Sequence, residues 1–203
     1  MTVPLAVGVR FHKWDALLAW KEPEPSLKAT TVFWHFARGM ALASKGTISE
    51  AEAEYQIVSR AEKATPPDEI FQMPINNKTK DILKIAEHVL GAQLALARKD
   101  LGSAATMLRE AIATQDSLHY DEPPDWFYPV RESLGGVLLL KGDAMQAEQV
   151  FRQDLERNPR NPRSLFGLHE ALKAQKRSYD AEFVEKQFED SWKGGQLTVE
   201  DLV

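Results

Sequence analysis

No cysteine occurs anywhere in the 203 residues. Disulfides, Cys-ligated zinc, iron–sulfur clusters and a cysteine nucleophile are thereby excluded, and the composition fits a reducing compartment, so the protein is expected in the cytoplasm. No apolar run approaches the roughly 20 residues of a membrane span, so no membrane partner is expected. Residues 1–10 lack a basic segment ahead of their apolar stretch, which makes them a poor signal peptide. Positive charge is not in excess: Lys and Arg number 25 against 30 for Asp and Glu, for a net charge of −5. A mildly acidic chain argues against nucleic acid as a partner. Neither a Gly-rich phosphate loop nor a G-x-S-x-G elbow is present, and no spacing of Ser, His and Asp pairs a nucleophile with a base. The chain is therefore read as non-catalytic and without a cofactor.

What is present is a repeat. From Tyr128 onward, Leu134, Gly135, Leu138, Gly142, Ala147, Phe151 and Pro159 fall at positions 7, 8, 11, 15, 20, 24 and 32 of a 34-residue unit. A second unit begins 34 residues later at Pro162, with Leu165, Leu168, Leu172 and Ala181 in register. An earlier unit begins near Val32 (Gly39, Leu42, Gly46, Ala51, Tyr55) and another near Ile85 (Ala92, Ala95, Ala104, Leu108, Ala111). Lys99 and Lys176 stand where Gly46 and Gly142 stand in the other two units. Two insertions interrupt the register: residues 65–79, with Pro66, Pro67 and Pro74, and residues around 118–126.

Local signals agree with helix pairs. Thr47 with Glu50 reads as a capping box, Asp143 with Gln146 resembles one, and Asp100 reads as an N-cap. Gly46 and Gly142 suit the left-handed position that closes a helix, and Asn161-Pro162 reads as N-cap followed by the first helical residue. Asp125 is expected to cap the helix after it. Only Val3, Leu5, Val7, Val9 and Phe11 alternate with period two, which points to a short extended arm.

This pattern resembles the tetratricopeptide repeat, of the bacterial type, over roughly residues 32–192. The resemblance implies an all-α, right-handed superhelical solenoid of antiparallel helix pairs, with about nine helices. The expected layout is an arm and incomplete repeat (1–31), repeat one (32–64), an insertion and helix start (65–84), a degenerate repeat two (85–116), an insertion loop (117–127), repeat three (128–161), repeat four (162–195) and a tail (196–203). In this family the first helices line a concave groove. Carried over residue by residue, the groove positions include Phe33, Phe36, Met40, Val89, Gln93, Glu132, Phe166, Glu170 and Lys173. The Lys and Asn residues with which some members clamp an acidic carboxyl-terminal peptide are absent, since Phe36, Val89 and Glu132 hold the Lys-like position.

The resemblance implies a protein or peptide partner held without catalysis in that groove. Trp126 and Tyr128, on the aromatic and acidic segment of the second insertion, are either a contact lip or a plug between repeats. His35, His88 and Arg131 recur at one register position. They suggest an alternative reading, a small-ligand or metal sensor, although no His pair has metal-ligand spacing and no metal ligand is assigned. Residues 152–177 hold seven basic and three acidic side chains, which reads as a solvated turn more readily than a polyanion site. At the ends, Leu197 and Val199 are placed to fold back over Phe183, Val184, Phe188 and Trp192. Phe11, Trp14, Leu17, Leu18 and Trp20 lie beside an incomplete repeat. That arrangement suits either a piece of a longer array or a homo-oligomer formed through this end.

Overall fold

The computed structural model describes residues 3–24, 26–71 and 77–203. Pro74, expected in the first insertion, lies outside the described residues. Ten α-helices are present among the described residues, one more than the nine expected, with a short 3-10 helix at Val199–Leu202 and no strand beyond a single bridge between Ile70 and Lys78. The chain divides into two compact units, Met1–Tyr128 and Pro129–Val203.

The first unit holds α1 (Val3–Arg10), α2 (Trp14–Ala19), α3 (Lys28–Ser44), α4 (Ile48–Ala64), α5 (Thr79–Ala97) and α6 (Leu101–Asp116). The second holds α7 (Val130–Leu140), α8 (Ala144–Arg157), α9 (Pro162–Ala174), α10 (Ser178–Ser191) and the 3-10 helix. Within each unit successive helices pack in order, most extensively α5 on α6 and α3 on α4 in the first unit, and α9 on both α10 and α8 in the second.

One turn is used four times. Gly46, Lys99, Gly142 and Lys176 all take a left-handed backbone, with φ of 79°, 60°, 81° and 60°. Each is followed by a residue whose N–H reaches back six residues inclusively: Thr47 to Leu42, Asp100 to Ala95, Asp143 to Leu138 and Arg177 to Leu172, at 2.8–3.0 Å. These are Schellman closures, which satisfy the carbonyls left over at the end of the first helix of each pair. The two lysines thus keep the backbone that glycine adopts elsewhere, at a steric cost of roughly 1–2 kcal/mol each. Glycine relieves that strain but loses more chain entropy on folding, about 0.5–1 kcal/mol. Lys99→Gly and Lys176→Gly are therefore each expected to raise stability by about 0.5–1 kcal/mol, read as a higher urea midpoint at unchanged slope.

The expected caps are only partly formed. Asp100 accepts from the Ser103 N–H at 2.9 Å, and Asn161 accepts from the Arg163 N–H at 3.2 Å with Pro162 opening α9. Thr47 and Asp143 occupy N-cap positions without a side-chain cap. The Asp143 carboxylate is instead engaged by the Gln146 side-chain amide at 2.5 Å.

Residues 3–10 are a helix, not an extended arm. Leu5, Gly8 and Val9 point inward with helical spacing, and α1 packs on α2 and α3. With no neighbouring strand to pair with, a helix satisfies the backbone donors and acceptors that a lone extended segment would leave open. Gly8 permits the contact, because a Cβ there would lie 2.6 Å from Leu17 Cδ2.

Asn77 joins the two insertions. Its side-chain amide donates to the His119 carbonyl (3.0 Å) and to Asp125 Oδ2 (2.8 Å), and its oxygen accepts from the His119 N–H (2.7 Å). Asp125 is thereby committed within the first unit, and Pro129 takes the N-cap position of α7. This corrects the expectation that Asp125 caps that helix.

Phe151 anchors the second unit. It is fully buried between two helical glycines: a Cβ at Gly135 would lie 2.3 Å from its Cζ, and one at Gly167 only 2.1 Å. The first unit repeats the idea with a smaller overlap. A Cβ at Gly91 would lie 3.2 Å from Tyr55 Cε2, and one at Gly39 would lie 3.1 Å from Glu54 Cβ.

Candidate functional site

Several residues expected to line a groove are core. Phe33, Phe36, Met40 and Val89 are all buried. Phe36 meets Trp126 edge-on with ring centroids 5.7 Å apart, and Phe33 meets Phe71 at 6.0 Å. Leu5, Ala6 and Val9 of α1 close over Phe33, Phe36 and Ala37 and leave no space that admits a water. An apolar groove end left open would cost about 25 cal/mol per Å² of exposed surface. Here α1 and the second insertion cover Phe33 and Phe36, and Met40 and Val89 are buried as well, so none of the four is on the surface a partner can reach. Gln93 is half-buried and donates to Ser44 Oγ at 3.0 Å.

Trp126 and Tyr128 are likewise buried, at 2% and 8% exposure. Their rings pack together at 5.8 Å, and the Arg10 guanidinium lies 5.6 Å from the Tyr128 centroid. The segment is thus packed inside the first unit, with Trp126 against Phe36 of α3, and is no exposed lip at these two residues.

Glu132 is buried too, at 1% exposure, and belongs to a polar cluster inside the second unit. The Asn161 side-chain amide donates to Glu132 Oε1 at 2.7 Å and to Asp154 Oδ2 at 2.8 Å. Ser164 Oγ donates to Asp154 Oδ2 at 2.5 Å, and Asn158 donates to Asp154 Oδ1 at 2.9 Å. Two buried carboxylates thus share one amide. Asn161→Ala is expected to cost about 2–3 kcal/mol in urea unfolding, because it removes the one amide that donates to both buried carboxylates; the loss of an exposed N-cap alone costs about 1 kcal/mol.

The polar residues at the shared register position have local partners. His35 Nδ1 lies 2.5 Å from Glu54 Oε2, and Arg38 Nε donates to Glu54 Oε1 at 2.9 Å. His88 Nδ1 lies 2.9 Å from the Lys84 carbonyl oxygen. Arg131 is buried in the second unit. Among the described residues no group of three or more His, Asp or Glu is placed to hold a metal ion.

The basic run is largely consumed by pairing. Arg152 Nη2 and Arg177 Nη1 meet Glu148 at 2.9 and 2.8 Å, and Arg177 also meets Asp180 at 2.6 Å. Burial pushes the Glu148 carboxyl up, but hydrogen bonds from Gln175, Arg152 and Arg177 outweigh it and hold the group below its ordinary value. Arg163 Nη1 donates to the Asp201 carbonyl at 2.5 Å.

Two of the remaining groove positions, Phe166 and Glu170, meet at an open cavity of about 400 Å³ in the second unit. Phe166, His169 and Glu170 of α9 form one wall, and Glu185, Phe188 and Glu189 of α10 with Trp192 just past its end form another. Glu185, Phe188 and Glu189 share one face of α10 at helical spacing, and Trp192 follows as the extended C-cap residue. Leu197, Thr198 and Val199 of the returning tail close the third side. The tail folds back, but not over the whole face expected: the 3-10 helix packs on α7 and α9 with Leu202 buried, Leu197 and Val199 reach only the cavity shared with Phe188 and Trp192, and Phe183 stays exposed. Gly136 makes room, since a Cβ there would lie 2.7 Å from Val203 Cγ1. A capping box between Thr198 and Asp201 fixes the turn, with the Thr198 N–H donating to Asp201 Oδ2 at 2.7 Å. Thr198-x-x-Asp201 is legible in the sequence as such a box, and it is the signal that was overlooked. Lys173, the last groove candidate, is exposed and pairs with Glu170 Oε1 at 3.0 Å.

A second cavity, of about 310 Å³, lies in the first unit between α1 and the insertions. Val3, Val7, Phe11, Phe71, Pro123 and Phe127 make it mostly apolar. It contains none of the groove positions.

Matched against protein-family models, curated proteins and solved structures, the chain has no counterpart in any of the three comparisons. No helix among the described residues is long and apolar enough to cross a membrane.

Proposed function

We propose that this chain is a non-catalytic interaction module of tetratricopeptide type, and that it holds a peptide segment of a partner protein in the cavity between α9, α10 and the returning tail. One observation carries this reading. Of the groove positions named from the repeat register, Phe166 and Glu170 are the pair that line an open cavity, while Phe33, Phe36, Met40, Val89 and Glu132 are sealed inside their units. The four equivalent Schellman turns support the repeat itself, since two lysines adopt the glycine conformation where the register requires it. In this reading the helix pairs belong to a right-handed solenoid, and repeat four supplies the binding face. A cavity of this size is within the range of small-ligand and side-chain pockets, about 300–1,000 Å³.

Selection from a displayed library of random dodecapeptides against the full chain tests the proposal. The expected result is enrichment of a shared sequence pattern that binds wild type and fails to bind a Phe166→Glu variant. Absence of any enriched pattern, or equal binding by both proteins, would overturn it.

A further inference from the structure

We infer that the carboxyl-terminal cavity takes the cationic head of an arginine side chain presented by a partner peptide. This deepens the peptide-binding reading and rests on it.

Its walls offer two chemistries. Phe166, Phe188 and Trp192 supply rings, with centroids 5.8 Å apart for Phe166–Phe188 and 6.4 Å for the stacked Phe188–Trp192 pair. Glu170, Glu185 and Glu189 supply carboxylates. Charge within the cavity is unbalanced. Glu170 has Lys173 at 3.0 Å and His169 at 3.1 Å, whereas among the described residues Glu185 has only the His169 Nε2 at 4.0 Å. Among the described residues the Glu189 carboxylate has no hydrogen-bond or ion-pair partner; Lys193 donates instead to the Glu189 backbone carbonyl at 2.8 Å. The surroundings deepen this field, since residues 178–203 hold seven acidic side chains and two lysines.

An anion would be repelled from such a site. An uncharged apolar group would cover the rings but strip water from the carboxylates without replacing it. A cation satisfies both walls, because aromatic faces are the negative ends of ring quadrupoles. Arginine suits the geometry better than lysine. Its guanidinium stacks flat on an indole or phenyl face and still offers two parallel donors to a carboxylate.

Trp192 is held ready for this role. Its indole Nε1 donates to the Gly195 carbonyl at 2.6 Å, and a Cβ at Gly194 would lie 2.4 Å from Trp192 Cζ2. The Gly194-Gly195 turn therefore positions the ring, and side chains larger than hydrogen at residue 194 would move it.

The test repeats the dodecapeptide selection on wild type and on a Glu185→Gln, Glu189→Gln variant. Both glutamates are exposed, so the variant is expected to melt within about 2 °C of wild type. A Glu182→Gln, Asp190→Gln variant removes the same charge from exposed α10 positions outside the cavity and serves as the control. The expected result is one invariant arginine in the enriched peptides. Replacing it with citrulline, or using the cavity variant, should weaken binding by about tenfold or more, with the control within about twofold of wild type. Enriched peptides lacking an invariant arginine, or equal losses in cavity variant and control, would overturn the inference and leave peptide binding standing. No enrichment at all would overturn both.

Discussion

Phe151→Ala is expected to cost about 4 kcal/mol in urea unfolding, within the range for buried Phe truncations. The side chain has no exposure and fills the gap between Gly135 and Gly167, neither of which has a side chain to move into the space. The cost therefore includes both lost transfer energy and an unfilled cavity. The converse change should also be harmful. Gly167→Ala places a methyl group 2.1 Å from Phe151 Cζ, which overpacks the contact and costs about 1–3 kcal/mol. In a Phe151→Leu background that penalty should shrink, because the clashing ring is gone. A double-mutant cycle reads this as a favourable coupling of about 1 kcal/mol or more between residues 151 and 167. Independent, additive losses would show that the glycine–phenylalanine contact does not hold α8 against α9.

Trp126→Ala is the counterpart in the first unit, with an expected loss of about 3–5 kcal/mol. Trp126 is 2% exposed and packs on Phe36, Phe127 and Tyr128. Its indole nitrogen is buried with no hydrogen-bond partner, so the ring supplies packing while the N–H is a liability. Trp126→Phe should consequently cost less than about 1 kcal/mol, since it keeps an aromatic plug and removes the orphan donor. Thermal and urea unfolding of both variants distinguish a plug from a surface lip. A lip would give near-neutral values for alanine as well as for phenylalanine.

The helix pairs were legible because their signals are local. Apolar spacing of 3.6, Gly46 and Gly142 at the turns, and Asn161-Pro162 at a helix start each act within a few residues. Lys99 and Lys176 show how a local departure can mislead about sequence and yet not about backbone: the side chain changed while the left-handed turn persisted. The amino-terminal helix was misread because eight residues are too few to separate the two periods. Leu5 and Val9 lie on one face of either structure, so their burial fits both periods.

The site was half legible. Register placed Phe166 and Glu170 at the cavity, but register also placed Phe36 and Glu132 in a groove. What buries Phe36 comes from α1 and from Trp126, 90 residues away in sequence. What engages Glu132 is Asn161, 29 residues on. Neither partner is written in the pattern around the residue it covers. The returning tail belongs to the same class: Gly194-Gly195 permits the reversal and the Thr198–Asp201 cap shapes its end, while its seat on α7 and α9 depends on long-range packing.

The five tryptophans provide the most direct test of where a ligand enters. Trp14, Trp20, Trp34 and Trp126 lie in the first unit, and Trp192 lines the proposed site. The indole N–H resonances of the full chain, assigned by single Trp→Phe replacements, would be followed while the most enriched dodecapeptide is titrated in. The account predicts a saturable shift of the Trp192 signal, with Trp34 and Trp126 unmoved. A shift confined to Trp34 and Trp126, with Trp192 unmoved, would put recognition in the amino-terminal unit and contradict the account.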